Sequence, residues 1–252
     1  HVFGLTRRVE ESRQLIAAGI TPVFGDLGVP GGEWMGALQN CDAAVHTAFD
    51  AQNGAADVDL CALDALRVAA LDGRVRKLVY TSGIWVHGRG VNGRADENTP
   101  LTPLPIVQWR AAHEEIALDL QDHEIDVVIL RPGMVYGEQR GILGGWFAEA
   151  YEHQTVTYPG EGTQHWNLVH RDDLADAYAR ALQHGVSRTP VREALHAAGF
   201  ATEKRAGFDR KRDMLVGHAL RGAEPATPPF RRAIVVGAGL AGAGVAERLA
   251  HR

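Results

Sequence analysis

Residues 231–252 read RRAIVVGAGLAGAGVAERLAHR, and this stretch decides the predicted fold. The apolar run AIVV predicts a buried strand, and the next residues fit G-x-G-x-x-G at Gly237, Gly239 and Gly242. Glycines at these positions allow a tight turn, the approach of backbone N–H groups to a pyrophosphate, and close packing of helix on strand. The pattern therefore predicts the first strand, turn and helix of a dinucleotide-binding fold. A glycine-rich turn that binds no ligand is the alternative.

The beginning of the chain supplies a second strand that has no first strand before it. Residues 1–8 read HVFGLTRR, and Arg7 lies 22 positions after Gly237 when the two chain ends are joined. A ribose-reading residue is expected about 20 positions after the first glycine. We therefore predict a circularly permuted order, with strand one and its glycine-rich turn at the chain's C-terminus. A truncated start of a second, flavin-type domain is the rival interpretation.

Short apolar runs alternate with helical patterns along most of the chain. Continuous Val, Ile and Leu runs between amphipathic helices indicate parallel strands that are covered on both faces. The predicted class is α/β, a doubly wound parallel sheet of the Rossmann type. The strands are expected at residues 1–5, 21–24, 43–48, 77–81 and 126–130, with a short one at 155–158. The helices are expected at residues 9–18, 31–38, 58–71, 107–121, 142–153 and 172–184.

The pattern also suggests a division into regions. We predict a dinucleotide-binding Rossmann domain from residues 1–140 plus 231–252, and a small C-terminal substrate-binding region from residues 141–220. Residues 221–230, RGAEPATPPF, contain three prolines and predict an extended linker. Ten residues reach at most about 33 Å, enough to return the chain to the first strand. Residues 187–213 receive no assignment.

Composition excludes several classes of protein. The 252 residues are 45% hydrophobic and carry a formal net charge of −5, which argues against a nucleic-acid or membrane partner. Two cysteines are too few for a disulfide framework, and the histidines show no ligand spacing, so we predict no metal. No apolar run approaches the roughly 20 residues of a membrane span, and residue 1 does not open a signal peptide. We expect a cytoplasmic protein with a small-molecule substrate; a homodimer stays open.

Five segments in order resemble the extended short-chain dehydrogenase/reductase superfamily, the NAD(P)-dependent epimerase/dehydratase group. They are GDL (25–27), AVHTAF (44–49), KLVYTSGIWVHG (77–88), LRPGMVYG (130–137) and WNLVHRDDLADA (166–177). The resemblance covers about residues 1–185 plus 231–252. It implies the Rossmann fold, a nicotinamide nucleotide, and a catalytic serine at Ser82.

One family motif is missing from the sequence. That family carries Tyr-x-x-x-Lys on the helix after strand five, where the lysine lowers the pKa of the tyrosine. Here Ile106 stands for the tyrosine and Arg110 for the lysine, and no Tyr-x-x-x-Lys occurs anywhere in the chain. Arginine does not deprotonate, although it can bind ribose hydroxyls. This resembles an atypical member of the family.

The glycine pattern and the resemblance together imply a set of cofactor-binding residues. Arg7 and Arg8 close the second strand where NAD enzymes place an acid, so a 2′-phosphate and hence NADP(H) is favoured. NAD(H) stays open, and FAD is less favoured. The full set is Arg7, Arg8, Asp26, Leu27, Thr47, Ala48, Phe49, Arg110, Pro132, Gly133, Val135, Gly237, Gly239, Leu240, Ala241 and Gly242.

The expected catalytic residues are Ser82, His87 and Arg110. The hydroxyl of Ser82 could bind a substrate carbonyl, and His87 could donate a proton because imidazole titrates near neutrality. A turn serine and a packed histidine are the structural alternatives. His113 is expected to be a surface histidine. Trp85, Trp109, Trp146 and Trp166 suggest an apolar substrate pocket, with core packing as the alternative.

Two functions follow from this sequence. The first is an NADP-dependent oxidoreductase or epimerase-like enzyme that acts on a small carbonyl or hydroxyl compound without the Tyr–Lys pair. The second is an NADP(H)-binding sensor or pseudoenzyme that regulates a partner protein.

Overall fold

The structure is a computed structural model that describes residues 1–29, 31–50, 54–88, 95–138, 140–158, 160–163, 165–183, 200–206, 213–219, 232–237 and 240–250. The strands are β1 (Val2–Thr6), β2 (Thr21–Phe24), β3 (Ala43–His46), β4 (Lys77–Thr81), β5 (Asp126–Leu130), β6 (Met134–Tyr136), β7 (Leu168–His170), β8 (Phe200–Ala206), β9 (Asp213–Ala219) and β10 (Ala233–Val236). The α-helices are α1 (Val9–Ala17), α2 (Glu33–Gln39), α3 (Ala55–Asp72), α4 (Gln108–Leu118), α5 (Gly141–His153), α6 (Arg171–Gln183) and α7 (Leu240–Ala250). Short 3₁₀ turns cover Ile84–His87, Pro105–Val107 and Asp119–His123.

The main sheet has six parallel strands in the order β2-β1-β10-β3-β4-β5. The last strand of the chain therefore lies in its middle, with Phe3 and Ala44 as the register partners of Ile234. When β10 is counted as strand one, the order becomes 3-2-1-4-5-6, the doubly wound order. The predicted fold class is confirmed, including the placement of residues 233–236 beside residues 2–5. The origin of this order by circular permutation stays a prediction.

Helices cover both faces of the sheet because each strand buries side chains in both directions. On one face, residues of α2, α3 and α4 pack on Ile234 and Val236. On the other face, residues of α1, α6 and α7 pack on Ala233 and Val235. All four β10 side chains are buried, which explains why this strand is an unbroken apolar run.

The described residues also form two smaller sheets outside the main one. Strands β6 and β7 pair in parallel, and β8 and β9, for which no strand is predicted, form an antiparallel pair. The strand expected at residues 155–158 is wrong, since this segment carries no regular structure. Its Thr157 instead bonds through its backbone N–H to the carboxylate of Glu149, a contact inside one local segment. The predicted linker at 221–230 lies outside the described residues.

Candidate functional site

A cavity of about 570 Å³ opens at the carboxyl ends of the central strands. Ligands of doubly wound sheets bind at this edge, where the strand order reverses. Its walls come from the ends of β1, β2, β3 and β10 and from the start of α5. The lining residues are Leu5, Thr6, Arg7, Arg8, Glu11, Gly25, Asp26, Leu27, Thr47, Ala48, Phe49, Asp50, Val58, Met134, Val135, Gly141, Ile142 and Gly237.

The glycine turn closes one side of this cavity. Gly237 has a φ of 111°, and a Cβ there would lie 2.5 Å from the backbone N of Ala48. A side chain at Gly242 would collide with the carbonyl oxygen of Gly237 and with Oγ1 of Thr47. Thr47 in turn donates from Oγ1 to the carbonyls of Val236 and Gly237, at 3.0 and 3.1 Å. Glycine is required here because the turn packs directly on the end of β3.

The remaining predicted residues of this turn are placed only in part. Gly239 lies outside the described residues, and of Leu240 and Ala241 only the helical backbone is described. Helix α7 begins at Leu240, three residues after Gly237. Its first N–H groups lack helical partners, so the positive end of the helix dipole belongs to this turn.

Charged side chains gather where β1 ends at the cavity, on the strand next to β10. Nη1 of Arg7 lies 2.9 Å from Oδ2 of Asp50 and 3.8 Å from Oδ2 of Asp26. Nη2 of Arg8 lies 2.6 Å from Oε1 of Glu11. Side chains of Arg7 and Arg8 remain 50% and 72% exposed, so both guanidinium groups stay accessible from the cavity. Asp26 also caps its own loop by accepting from the backbone N–H of Gly28.

Ser82 and His87 are buried, and each has one polar atom without a hydrogen-bond partner among the described residues. These atoms are Oγ of Ser82 and Nδ1 of His87. Buried polar groups are nearly always paired, so these two unpaired atoms require an explanation, although neither residue lines the cavity. His46 and Tyr80 are register partners, and Ser82 therefore emerges from the same sheet edge as Thr47 and Ala48.

Arg110 is buried and held by three protein groups. Its Nη1 donates to the carbonyl of Thr81 at 3.0 Å, and its guanidinium lies 4.5 Å from the ring centroid of Trp109 and 5.5 Å from that of Phe49. Phe49 lines the cavity, whereas Arg110 does not. Arg110 thus ties helix α4 to the residue that precedes Ser82.

The segment after β5 is placed beside the cavity by its backbone. Gly133 packs so closely on Asn167 that a Cβ would lie 2.5 Å from the Asn167 carbonyl oxygen. Pro132 accepts from the backbone N–H of Ile84, and Val135 lines the cavity. Trp146 and Trp166 stack on each other with 5.3 Å between ring centroids. None of the four predicted tryptophans is among the residues that line the described cavity.

A buried cluster around Asp59 was missed by the sequence analysis. Oδ1 of Asp59 accepts from His46 Nε2 at 3.0 Å, and Oδ2 accepts from His113 Nδ1 and from the hydroxyl of Tyr80, both at 2.7 Å. The expectation that His113 is a surface histidine is wrong, because its side chain is buried and faces α3. No local sequence signal joins these residues.

The tautomer of His46 links this cluster to the cavity wall. Its Nδ1 accepts from the backbone N–H of Ala48 at 3.3 Å, so the proton resides on Nε2 and is donated to Asp59. The carboxylate of Asp59 therefore fixes the segment in which Thr47 and Ala48 line the cavity.

These features fit a nicotinamide nucleotide. The glycine turn exposes backbone beside a helix start, the end of the neighbouring strand carries two accessible arginines, and two unpaired polar atoms lie in the segment after β4. Within the described part of the chain, no group of three or more His, Cys, Asp or Glu is arranged to hold a metal ion. Of the helices that the structure describes, none combines the length and apolar character of a membrane span.

Known proteins resemble this chain in two ways. An uncharacterised protein of Schizosaccharomyces pombe is 30% identical over 218 residues, which are 84% of this chain and 72% of the relative. A tRNA 5-methylaminomethyl-2-thiouridine biosynthesis bifunctional protein of Azoarcus sp. is 56% identical over 64 residues, which are 25% of this chain. This chain spans only 10% of the length of that bifunctional protein.

Solved structures share the fold. The dTDP-glucose 4,6-dehydratase of Streptomyces venezuelae, with NAD bound, superposes with a TM-score of 0.61 at 21% identity, over 72% of this chain and 62% of that chain. The UDP-glucuronic acid 4-epimerase of Bacillus cereus, with UDP-glucuronic acid and NAD, gives a TM-score of 0.60 at 17% identity, over 76% and 67%.

The family assignment rests on the greater part of the sequence. Residues 1–192 match the model of one family, and the chain shares its fold with the NAD-bound dehydratase. The chain belongs to the NAD-dependent epimerase/dehydratase family.

Proposed function

We propose that this protein is an NADP(H)-dependent oxidoreductase or epimerase-like enzyme that acts on a small carbonyl or hydroxyl compound without the family's usual Tyr–Lys pair. The observation that carries the proposal is the cavity that joins the Gly237 turn to Arg7 and Arg8. A phosphate-bearing nucleotide needs both ends, a backbone cradle for its pyrophosphate and cations for its ribose phosphate.

We assign the two ends of the nucleotide as follows. The pyrophosphate lies over Gly237, Gly242 and the start of α7, with Thr47 and Ala48 as the facing wall. Asp26 and Leu27 flank the adenine, and Arg7 and Arg8 bind the ribose phosphate. Val135, Pro132 and Gly133 border the nicotinamide end. The substrate region expected at residues 141–220 begins at α5, whose Gly141 and Ile142 line the cavity.

The preference for NADP(H) rests on a balance of nearby charges. Arg7 and Arg8 already pair with the carboxylates of Glu11, Asp26 and Asp50. A bound phosphate therefore has to compete with these carboxylates for the two arginines. A 2′-phosphate carries more charge than one carboxylate and accepts several hydrogen bonds, so it can displace Asp50 from Arg7. NAD(H), with a ribose hydroxyl at that place, is the alternative outcome of the binding test.

The chain's own residues supply the groups that face the substrate. When bound, the nicotinamide supplies or accepts hydride. Ser82 Oγ and His87 Nδ1 bind and orient the substrate oxygen, since both are buried near the sheet edge and have no partner among the described residues. Arg110 positions the end of β4 through the Thr81 carbonyl and does not replace the acidic phenol of the family.

The cofactor assignment predicts the effect of Arg7→Glu. The change removes a charge-assisted contact and adds a repulsion, so we expect NADPH to bind about 10- to 100-fold more weakly while NADH changes little. Fluorescence titration with NADPH, NADH and FAD measures this. Arg13→Glu, an exposed arginine on α1 outside the cavity lining, is the matched control. Unchanged NADPH affinity in Arg7→Glu would contradict phosphate reading, and tight FAD binding alone would favour the flavin alternative.

A sensor or pseudoenzyme is the second candidate function. It is favoured by Ile106, which stands at the family's tyrosine position, is 71% exposed and cannot transfer a proton. NADPH oxidation over a panel of carbonyl compounds, together with epimerisation assays on UDP-glucose and UDP-glucuronic acid, separates the two. Turnover that falls at least tenfold in Ser82→Ala supports the enzyme. Tight NADPH binding with no turnover on the whole panel supports the sensor.

A further inference from the structure

The ion pair between Glu114 and Arg131 lies beside His87 and has no role in the function proposed above. Glu114 of α4 is 2% exposed and accepts a fork of hydrogen bonds from Arg131, the residue that follows β5. Nε of Arg131 lies 3.0 Å from Oε1 of Glu114, and Nη2 lies 2.6 Å from Oε2. Two of the three guanidinium nitrogens are thereby fixed, and the plane of the group cannot rotate without breaking the fork.

The third nitrogen of the guanidinium faces His87. Nη1 of Arg131 lies 3.4 Å from Nε2 of His87. Arginine carries donors only and does not deprotonate in proteins, so Nε2 must be the acceptor in this contact. A neutral imidazole with a lone pair on Nε2 carries its single proton on Nδ1. Nδ1 is the buried atom that has no partner among the described residues.

We propose that Glu114 and Arg131 are positioning residues that hold His87 as a neutral imidazole with its N–H on Nδ1, the group that the proposed function assigns to a substrate oxygen. The inference deepens the proposed function and rests on it for the identity of the acceptor. Such a donor recognises a carbonyl or hydroxyl oxygen with a free lone pair and rejects an ammonium group. No covalent bond changes in this step, because His87 donates a hydrogen bond to the oxygen.

The surroundings of His87 support the neutral form. Its side chain is 6% exposed, and burial is the larger of the effects that lower its pKa below the ordinary value of 6.5, followed by the charge of Arg131. Glu114 and, from the loop after the 3₁₀ turn, Asp96 and Glu97 act in the opposite direction. Glu114 is already neutralised by Arg131, and the lowering effects dominate.

The tautomer can be read directly by nitrogen NMR on histidine labelled with ¹⁵N. Long-range proton–nitrogen spectra of the cofactor-free protein distinguish a protonated Nδ1 from a protonated Nε2, and His87→Gln assigns the signals by their loss. We expect the proton on Nδ1 at neutral pH, and a pKa below 6.5. Arg67→Met, an exposed arginine on α3, is the matched control and leaves these signals unchanged.

A double variant tests whether the ion pair sets the tautomer. Glu114→Gln together with Arg131→Met removes both charges, so no lone charge stays buried. We expect Nε2–H to become populated and the pKa of His87 to move toward its ordinary value. NADPH affinity should change less than twofold, because neither residue lines the nucleotide cavity.

The outcomes separate this inference from the proposed function. A wild-type His87 that carries its proton on Nε2, or a double variant with an unchanged tautomer, overturns the inference. If the double variant does not fold, the wild-type spectrum alone decides. A protein that binds no nicotinamide nucleotide but shows Nδ1–H at His87 overturns the proposed function and leaves the role of the ion pair intact.

Discussion

The chemistry of Asp59 depends strongly on its surroundings. It is 4% exposed, and its two oxygens accept hydrogen bonds from three side chains that come from β3, β4 and α4. One carboxylate therefore joins the sheet to a helix on one of its faces. Because His46 also accepts from Ala48, the same carboxylate acts on the wall of the cavity.

Removing this carboxylate should destabilise the protein strongly. Asp59→Ala leaves the donors of His46, His113 and Tyr80 buried, and we expect a loss of about 3–5 kcal/mol in the free energy of unfolding. Urea denaturation followed by circular dichroism measures this. Asp64→Ala on the exposed side of the same helix should cost less than about 0.5 kcal/mol. Equal losses in the two variants would show that the buried hydrogen bonds contribute nothing.

The same residue predicts a pH dependence. Burial by itself would raise the pKa of Asp59, but the hydrogen bonds from His113, His46 and Tyr80 outweigh it and hold the pKa below its ordinary range. A carboxyl whose folded pKa lies below the unfolded value of about 3.9 stabilises the protein above that pH, and the contribution is lost on further acidification.

This linkage is tested by comparing wild type with Asp59→Asn. The difference in unfolding free energy should be constant from neutral pH to about pH 5 and should shrink below about pH 3.9. Urea denaturation across this range supplies the measurement. A difference that does not change with pH would mean that Asp59 titrates alike in the folded and unfolded states.

At the scale of elements, the turn between β10 and α7 is the most sensitive junction. A Cβ at Gly242 would overlap the Gly237 carbonyl and lie 2.5 Å from Thr47 Oγ1. Gly242→Ala should therefore cost about 1–3 kcal/mol of stability. It should also weaken NADPH binding, because the turn must move away from Thr47.

Gly244, two residues further along α7, provides the matched control. Its Cβ would meet Arg171 O at 3.7 Å and Ala175 Cβ at 3.8 Å, which are ordinary contacts. Gly244→Ala should stabilise the helix by about 0.5–1 kcal/mol. Thermal unfolding of both variants measures the contrast, and a shift of the same sign in each would refute the packing explanation.

At the scale of the whole molecule, the last strand of the chain holds the sheet together. Strand β10 is hydrogen-bonded to β1 on one side and to β3 on the other, and its four side chains are buried. Arg248 of α7 also pairs with Asp176 of α6 at 2.6 Å. The C-terminal segment therefore contributes to the packing on both faces.

Hydrogen exchange should show this central placement. We expect the amides of residues 234–236 to exchange as slowly as those of Ala44 and Val45 in β3, through global unfolding alone. Mass spectrometry on peptic fragments gives the rates. Exchange of this strand as rapid as that of the exposed first turn of α1 would contradict its position in the middle of the sheet.

The sequence alone determined the sheet and the location of the glycine turn. Strands that are buried on both faces must be apolar throughout, and a turn that packs this closely between a strand and a helix requires glycine. Both features therefore leave a local pattern in the sequence. These patterns predict that the strand at residues 1–8 lies beside the run at 233–236, and the two pair in the structure. The spacing from Gly237 through the joined chain ends points to Arg7 at the end of β1.

Only the tertiary structure decided which polar side chains meet. Asp59 lies 13, 21 and 54 positions from His46, Tyr80 and His113, and Glu114 lies 17 positions from Arg131. A hydrogen bond between distant residues imposes no spacing on the sequence, because the fold brings the partners together. The same reason explains the error at His113, whose helix face is buried by α3 and not by anything near it in the chain.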